Sequence, residues 1–206
     1  KGNKLIAVDY LSPGAIYFGA DNAMAGRMAG KQAAEFIKKY WKRPLKHMVI
    51  LGKFGYEPIT RMRISSALEE LETSLPMKSV QIHQIEWGHP SIQPIQELVS
   101  LLKEIPQNES MLIMAFNLRY LLSSYDFIIQ NRTIDNTLII GQNHTKQIEE
   151  LMKSSDSLIL GCVHYNPETY GESIIDIALK LLSKHDVSAR NYTKLTWVER
   201  PSSKDV

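Results

Sequence analysis

The sequence predicts an α/β fold built on a doubly wound, mostly parallel sheet. Two observations carry this. Short continuous apolar runs alternate with longer stretches at helical spacing along the whole chain. The runs are apolar at successive positions, as in strands buried on both faces.

The elements follow in order. Leu5-Ile6-Ala7-Val8 is the first run and ends in Asp9-Tyr10. Residues 22–40 carry Met24, Met28, Ala33, Phe36 and Ile37 near helical spacing, with Asp21-Asn22 ahead of them as an N-cap signal. His47-Met48-Val49-Ile50-Leu51 is the second run. The helix over 58–72 follows, with Pro58 near its start, where proline is tolerated. Ser79–Ile85 alternates and reaches Glu86-Trp87-Gly88, and a helix over 91–104 carries Ile92, Ile95, Leu98, Val99 and Leu102. Met111–Ala115 ends in Phe116-Asn117 and leads into a helix over 118–130. Thr137–Ile140 ends in Gly141-Gln142-Asn143, with a short helix over 145–153 behind it. Leu158–Val163 ends in His164-Tyr165, and residues 168–183 close the set with a one-sided stripe of Ile174, Ile175, Ala178, Leu181 and Leu182. Right-handed crossovers place the loops that follow the strands at one sheet edge, where such folds bind ligands.

Composition narrows the function. Lys plus Arg number 24 against 22 acidic residues, a net charge of +2 that gives no electrostatic footprint for nucleic acid. The run Lys38-Lys39-Tyr40-Trp41-Lys42-Arg43 reads as a solvated helix end, with cations at the favourable pole of the dipole. One cysteine excludes an internal disulfide framework and a cysteine-based zinc site. Cys162 sits inside an apolar run and reads as core. The six histidines show no metal-ligand spacing, and no phosphate loop or nucleophile elbow follows a strand. No apolar run reaches the ~18–20 residues of a membrane-spanning helix. The chain opens at Lys1-Gly2-Asn3-Lys4 without an initiator Met, so a fragment or processed product is expected.

The strand ends carry the chemistry. They hold Asp9-Tyr10, Lys53-Phe54-Gly55-Tyr56, Glu86-Trp87, Phe116-Asn117, Gln142-Asn143 and His164-Tyr165-Asn166, with Arg61 and Arg63 just behind. Aromatic faces pack on the apolar C–H faces of a sugar or on a base. Amides, Asp and Arg hydrogen-bond hydroxyls in fixed planes. That set suits a small polar ligand held without a reaction, and no metal or organic cofactor is implied. The competing reading is that polar strand ends are common and that rings there cap the core. His164 reads as a ligand-contacting or structural imidazole ahead of a base.

These residues resemble the type I periplasmic-binding-protein superfamily, which includes ribose-type sugar-binding proteins and the effector domains of lactose-repressor-type transcription regulators. The stretch Gly19–Gly30 is similar to that family's D-N-x-x-A-G-x-x-A-G helix start. Thr60-Arg61-Met62-Arg63 is similar to its R-x-R segment, and Tyr165–Gly171 to its Q-x-P-x-x-x-G element. The resemblance implies ligand contacts from Asp9, Tyr10, Phe54, Arg63, Trp87, Asn117, Asn143 and Tyr165. Three positions depart from the pattern. Leu118 replaces an acid, Asn143 replaces a ligand-binding Asp, and Tyr165 replaces Gln. With two carboxylates gone, the implied ligand carries an acidic group or is less hydroxylated than ribose.

The resemblance also implies a periplasmic-binding-protein-like organisation, with a nearly complete second lobe and a truncated first lobe. Residues 20–165 form the C-terminal ligand-binding lobe, 1–19 and 166–187 part of the first lobe, and 188–206 a crossover strand and tail. The helix over 168–183 is then expected to expose its apolar stripe, and to self-associate or misfold unless a partner covers it. The function implied first is the sugar-binding effector domain of a bacterial, cytoplasmic transcription regulator. Such a protein is a homodimer and reaches DNA only through a headpiece absent from this chain. The run Leu195–Ser203 resembles the finish common in those regulators. The alternative is the solute-binding protein of a sugar ABC transporter, periplasmic or an extracytoplasmic lipoprotein, with a membrane permease as partner. It is favoured by Arg43-Pro44-Leu45-Lys46, where regulators carry G-H, and by Leu160–Pro167, where they carry L-T-T-I-R-Q-P. A sensor-kinase ligand domain or an enzyme is the remaining alternative.

Overall fold

The computed structural model describes residues 4–41, 43–55, 57–87 and 93–201. Tyr56, Gly88, Ile92 and the Ser202-Ser203 end of the regulator-like run lie outside the described residues. The chain divides into two compact units, Lys1–Asp21 with Tyr165–Thr196, and Asn22–His164 with Trp197–Val206.

The larger unit is a six-stranded sheet in the order β4-β3-β5-β6-β7-β9. Its strands are β3 (His47–Gly52), β4 (Gln81–Glu86), β5 (Met111–Ala115), β6 (Thr137–Gln142), β7 (Ile159–His164) and β9 (Thr196–Glu199). β3 pairs in parallel with β4 and β5, β5 with β6, and β6 with β7. Every residue of β3, β5 and β6 is buried. That is the doubly covered state that the continuous apolar runs predict. One face carries the core of Val49, Leu51, Ile113, Ala115 and Ile139, closed by Leu98, Leu102, Leu121, Ile128 and Ile148 of helices α3 (Pro94–Glu104), α4 (Leu118–Asn131) and α5 (Lys146–Met152). The alternate residues Met48, Ile50, Leu112 and Met114 are equally buried and point the other way. There α1 (Asn22–Tyr40) touches β6 and β7, and Ile64 of α2 (Pro58–Ser74) reaches Gly52.

Gly26 and Gly30 explain how tightly α1 packs. A Cβ at Gly26 would lie 2.2 Å from the Arg63 carbonyl oxygen, and one at Gly30 2.5 Å from that of Ala67. Only hydrogen lets the α1 and α2 backbones approach this closely. Gly161 plays the same part in β7, where a Cβ would meet the Val198 carbonyl of β9 at 2.4 Å and the Trp197 ring at 2.5 Å.

The smaller unit holds a three-stranded sheet, β1 (Ile6–Val8), β2 (Ile16–Gly19) and β8 (Arg190–Tyr192), in the order β1-β2-β8, with both pairings parallel. Its helix differs from the predicted span. Pro167–Thr169 form a 3-10 turn, and α6 proper runs Tyr170–Leu182. Proline at the start and the left-handed Asn166 (φ 49°) explain the tight entry. Ile177 is the buried residue of α6; of the predicted stripe, Ile175 (61%) and Leu182 (80%) are exposed while Ile174, Ala178 and Leu181 are half-buried, and Leu179 (57%), outside the stripe, is exposed as well. Among the described residues no helix is long and apolar enough to cross a membrane.

Candidate functional site

In the larger unit, the residues predicted to bind ligand collect at the carboxyl ends of the strands. Phe54 follows β3 by two residues, and its backbone N–H donates to Glu86 Oε2 at 2.9 Å. The Trp87 N–H donates to the Gly52 carbonyl at 2.7 Å, and the Phe116 N–H to that of Leu51 at 3.0 Å. These bonds carry the sheet pairing past the strand ends and fix the loops that leave them.

Arg63 lies on α2, and its Nε donates to Asn22 Oδ1 at 2.7 Å. Asn22 is the first residue of α1. The bond ties the start of one helix to the side chain of the other, across the contact that Gly26 makes possible. Asn117 is the N-cap of α4, and its Oδ1 accepts from the Arg119 N–H at 2.9 Å. Asn143 has φ 67°, a left-handed conformation that Asn tolerates, and its N–H donates to the Val163 carbonyl at 2.9 Å. The turn ends β6 and leads to Thr145, which caps α5 through Oγ1.

Trp87 stands differently from the others. It is 8% exposed, belongs to the hydrophobic core and stacks on Tyr120 with ring centres 5.1 Å apart and planes 27° off parallel. One indole face is thus occupied by a protein ring. Burial raises the Tyr120 pKa, and Glu57 and Glu86 add to the shift. His164 closes β7 edge-on to His144, with ring centres 5.4 Å apart. Burial first and His164 second lower the His144 pKa.

In the smaller unit, Asp9 follows β1 in a left-handed conformation, φ 54°. Its Oδ1 accepts from the Ala20 N–H at 3.3 Å and from the Tyr170 hydroxyl at 3.2 Å. Gly19 makes room for this carboxylate, since a Cβ there would lie 2.3 Å from Asp9 Oδ1. Asp9 is therefore a bracket between β1, the end of β2 and α6. Tyr10 is 72% exposed, whereas Tyr165 is buried and its carbonyl accepts from Thr193 Oγ1 at 3.1 Å. Asn166 Nδ2 donates to the Lys194 carbonyl at 2.6 Å.

Sequence reasoning missed Asn22 and Tyr120 as partners of Arg63 and Trp87, and Tyr170 as the partner of Asp9. Asn22 was legible as a cap signal. Nothing in the sequence pairs the two tyrosines with their neighbours. Among the described residues no cluster of His, Cys, Asp and Glu could hold a metal ion.

No family model matches the chain, and no curated protein matches it. Solved structures do. A glucose-galactose binding protein from Geobacillus stearothermophilus superposes at TM-score 0.74 and 19% identity, covering 96% of this chain and 68% of its own. The chain has the fold of the type I periplasmic binding proteins. A periplasmic solute-binding protein of an ABC transporter from Actinobacillus succinogenes, with bound D-allose, gives TM-score 0.74 at 19% identity, over 98% of this chain and 70% of that one. The fructose-binding periplasmic domain of a hybrid two-component system gives 0.72 at 21%, over 96% and 63%.

Proposed function

We propose that the chain is a non-catalytic carbohydrate-binding protein, the receptor through which a sugar or sugar derivative reaches a membrane permease. The observation that supports this most is the extent of the likeness. The sugar-binding structures superpose over nearly the whole chain, and most of those compared are transporter solute-binding proteins. One of them holds D-allose and another D-arabinose. The transport reading therefore stands ahead of the regulator reading, and an extracytoplasmic location goes with it. A second reading, the ligand domain of a membrane sensor, is favoured by the likeness to the two-component fructose domain.

The strand ends fit such a ligand. Arg63, Asn117 and Asn143 supply planar donors and acceptors in the larger unit, and Phe54 supplies an apolar face. Asp9 and Tyr10 are the contacts proposed in the smaller unit. Trp87, in the larger unit, and Tyr165, in the smaller, are both buried and are ranked behind those groups as contacts. Leu118 and Asn143 remove two acids that would accept from sugar hydroxyls, which favours a ligand with an acidic group or with fewer hydroxyls.

Isothermal titration and thermal shift against neutral pentoses and hexoses, alditols, sugar acids and sugar phosphates test the reading. A ligand present at a hundred times its dissociation constant stabilises the folded state by about 2.7 kcal/mol. The expected result is one carbohydrate class that shifts Tm and loses its effect in Arg63→Ala. The absence of binding by every carbohydrate would overturn it.

A further inference from the structure

The opposite end of the larger sheet holds a hydrogen-bonded chain that the binding reading does not use. His47, the first residue of β3, is 5% exposed. Its Nε2 lies 2.6 Å from Glu109 Oε2 and its Nδ1 lies 3.2 Å from His83 Nε2. His83 sits on β4, opposite Val49 in the register. It is thus the diagonal neighbour of His47 on the same face of the sheet. β4 is the edge strand, and Glu109 stands in the turn that leads into β5. The chain Glu109–His47–His83 therefore links three strands that lie side by side.

The ring geometry shows what joins the two imidazoles. Their centres are 5.5 Å apart, their planes 26° off parallel, and the facing nitrogens 3.2 Å apart. The centre-to-centre distance exceeds the nitrogen distance by about two ring radii, the most that it can. The nitrogens accordingly lie on the line between the centres, with their in-plane axes pointing at one another. That is the geometry of one N–H···N hydrogen bond. A shared metal ion needs the two lone pairs to converge at an angle, so this pair is not a metal site.

One hydrogen fits in that gap and two do not. With both rings neutral, His47 donates Nε2–H to Glu109 and accepts His83 Nε2–H on Nδ1. With one proton added, His47 donates from both nitrogens, to Glu109 and to His83, which then carries its hydrogen on Nδ1. A second proton sets N–H against N–H, and two cations face each other. Among the described residues, Glu104 at the end of α3 acts electrostatically on His83, and Arg132 acts on Glu109 while it donates to the carbonyls of Ile105 and Pro106. We propose that Glu109, His47 and His83 form a proton-sensing clasp, which holds the edge strand β4 to β3 while the histidine pair carries at most one proton and releases it at the second. Burial and the His47 charge both lower the His83 pKa, in agreement with a costly second proton.

The test is amide hydrogen exchange on the whole chain, at about pH 7.5 and about pH 5, with protection factors corrected for intrinsic rates. The expected result is a loss of protection in β4 relative to β5 on acidification, absent from His83→Gln, which keeps a donor for His47 but does not titrate. Equal acid sensitivity in the wild type and His83→Gln would overturn the proposal. A second measurement needs no variant. Imidazole ¹⁵N spectra of the wild type should show the two rings titrating as a coupled pair, in two steps and not as one. Two independent titrations at ordinary values would overturn the proposal as well.

Discussion

Gly26→Ala tests the contact on which the larger unit and its arginine both depend. The new Cβ would stand 2.2 Å from the Arg63 carbonyl oxygen, 2.9 Å from its carbon and 3.0 Å from its Cα. A carbon rests against a carbonyl oxygen at roughly 3.3 Å, so α1 and α2 must separate locally by on the order of 1 Å. No side chain can turn aside to relieve this, because both partners are backbone. Alanine favours the helix over glycine by about 1 kcal/mol, and overpacking a well-filled contact costs about 1–3 kcal/mol. With a backbone obstacle the cost falls in the upper part of that range, so the net loss is about 1–2 kcal/mol. For a chain of 206 residues that lowers Tm by roughly 2–8 °C. The strain falls on Arg63 itself, so the bond from its Nε to Asn22 should loosen, and the proposed carbohydrate affinity should fall with stability. Gly171→Ala is the control. It lies in a helix, with nothing within 4 Å of its added Cβ. Relief of unfolded-chain entropy should make it neutral or more stable by up to about 1 kcal/mol. Urea titrations of both variants decide the matter. Gly26→Ala as stable as the wild type would refute the argument that the backbones meet there.

Two further outcomes follow from burial. Desolvation pushes the Cys162 thiol up to about 12, so a thiol reagent at about pH 8 should leave the native chain unlabelled and label it stoichiometrically in urea. Labelling of the native chain at the rate of a free thiol would contradict this. The Tyr170 hydroxyl is raised above its ordinary value, first by burial and then by Asp9. Its contribution is therefore fully present below the ordinary tyrosine pKa of about 10 and is lost as pH rises above it. Tyr170→Phe should cost about 1 kcal/mol at neutral pH, read by denaturant titration, and should reduce the alkaline loss of stability. An unchanged alkaline limb would show that another group controls it.

The layered fold was legible because its signal is large and redundant. Strands β3, β5 and β6 are buried at every residue, so their runs could not be mistaken for half-exposed ones. The helix of residues 22–40 was predicted with its observed limits, because Asp21-Asn22 marks the start and the basic run marks the end. β2 was missed. Ile16-Tyr17-Phe18 is a short run behind Pro13-Gly14, and only pairing with β1 and β8 makes it a strand. The site was legible by type but not by direction. Sequence places an aromatic residue at a strand end, yet whether the ring faces ligand or core depends on what packs behind it. Trp87 has Tyr120 behind it and Tyr165 is buried, whereas Tyr10 is open. Asp9 shows the same limit for a charge. Its carboxylate could be predicted to accept hydrogen bonds, but Ala20 and Tyr170 reach it through folds of the chain 11 and 161 residues away. A strand-end motif thus identifies which groups are gathered, and their neighbours in space decide which of them remain to meet a ligand. For this reason Arg63, Asn117 and Asn143 are better first targets for binding variants than Trp87. Loss of the Trp87 ring would empty part of the core and lower stability whatever the ligand.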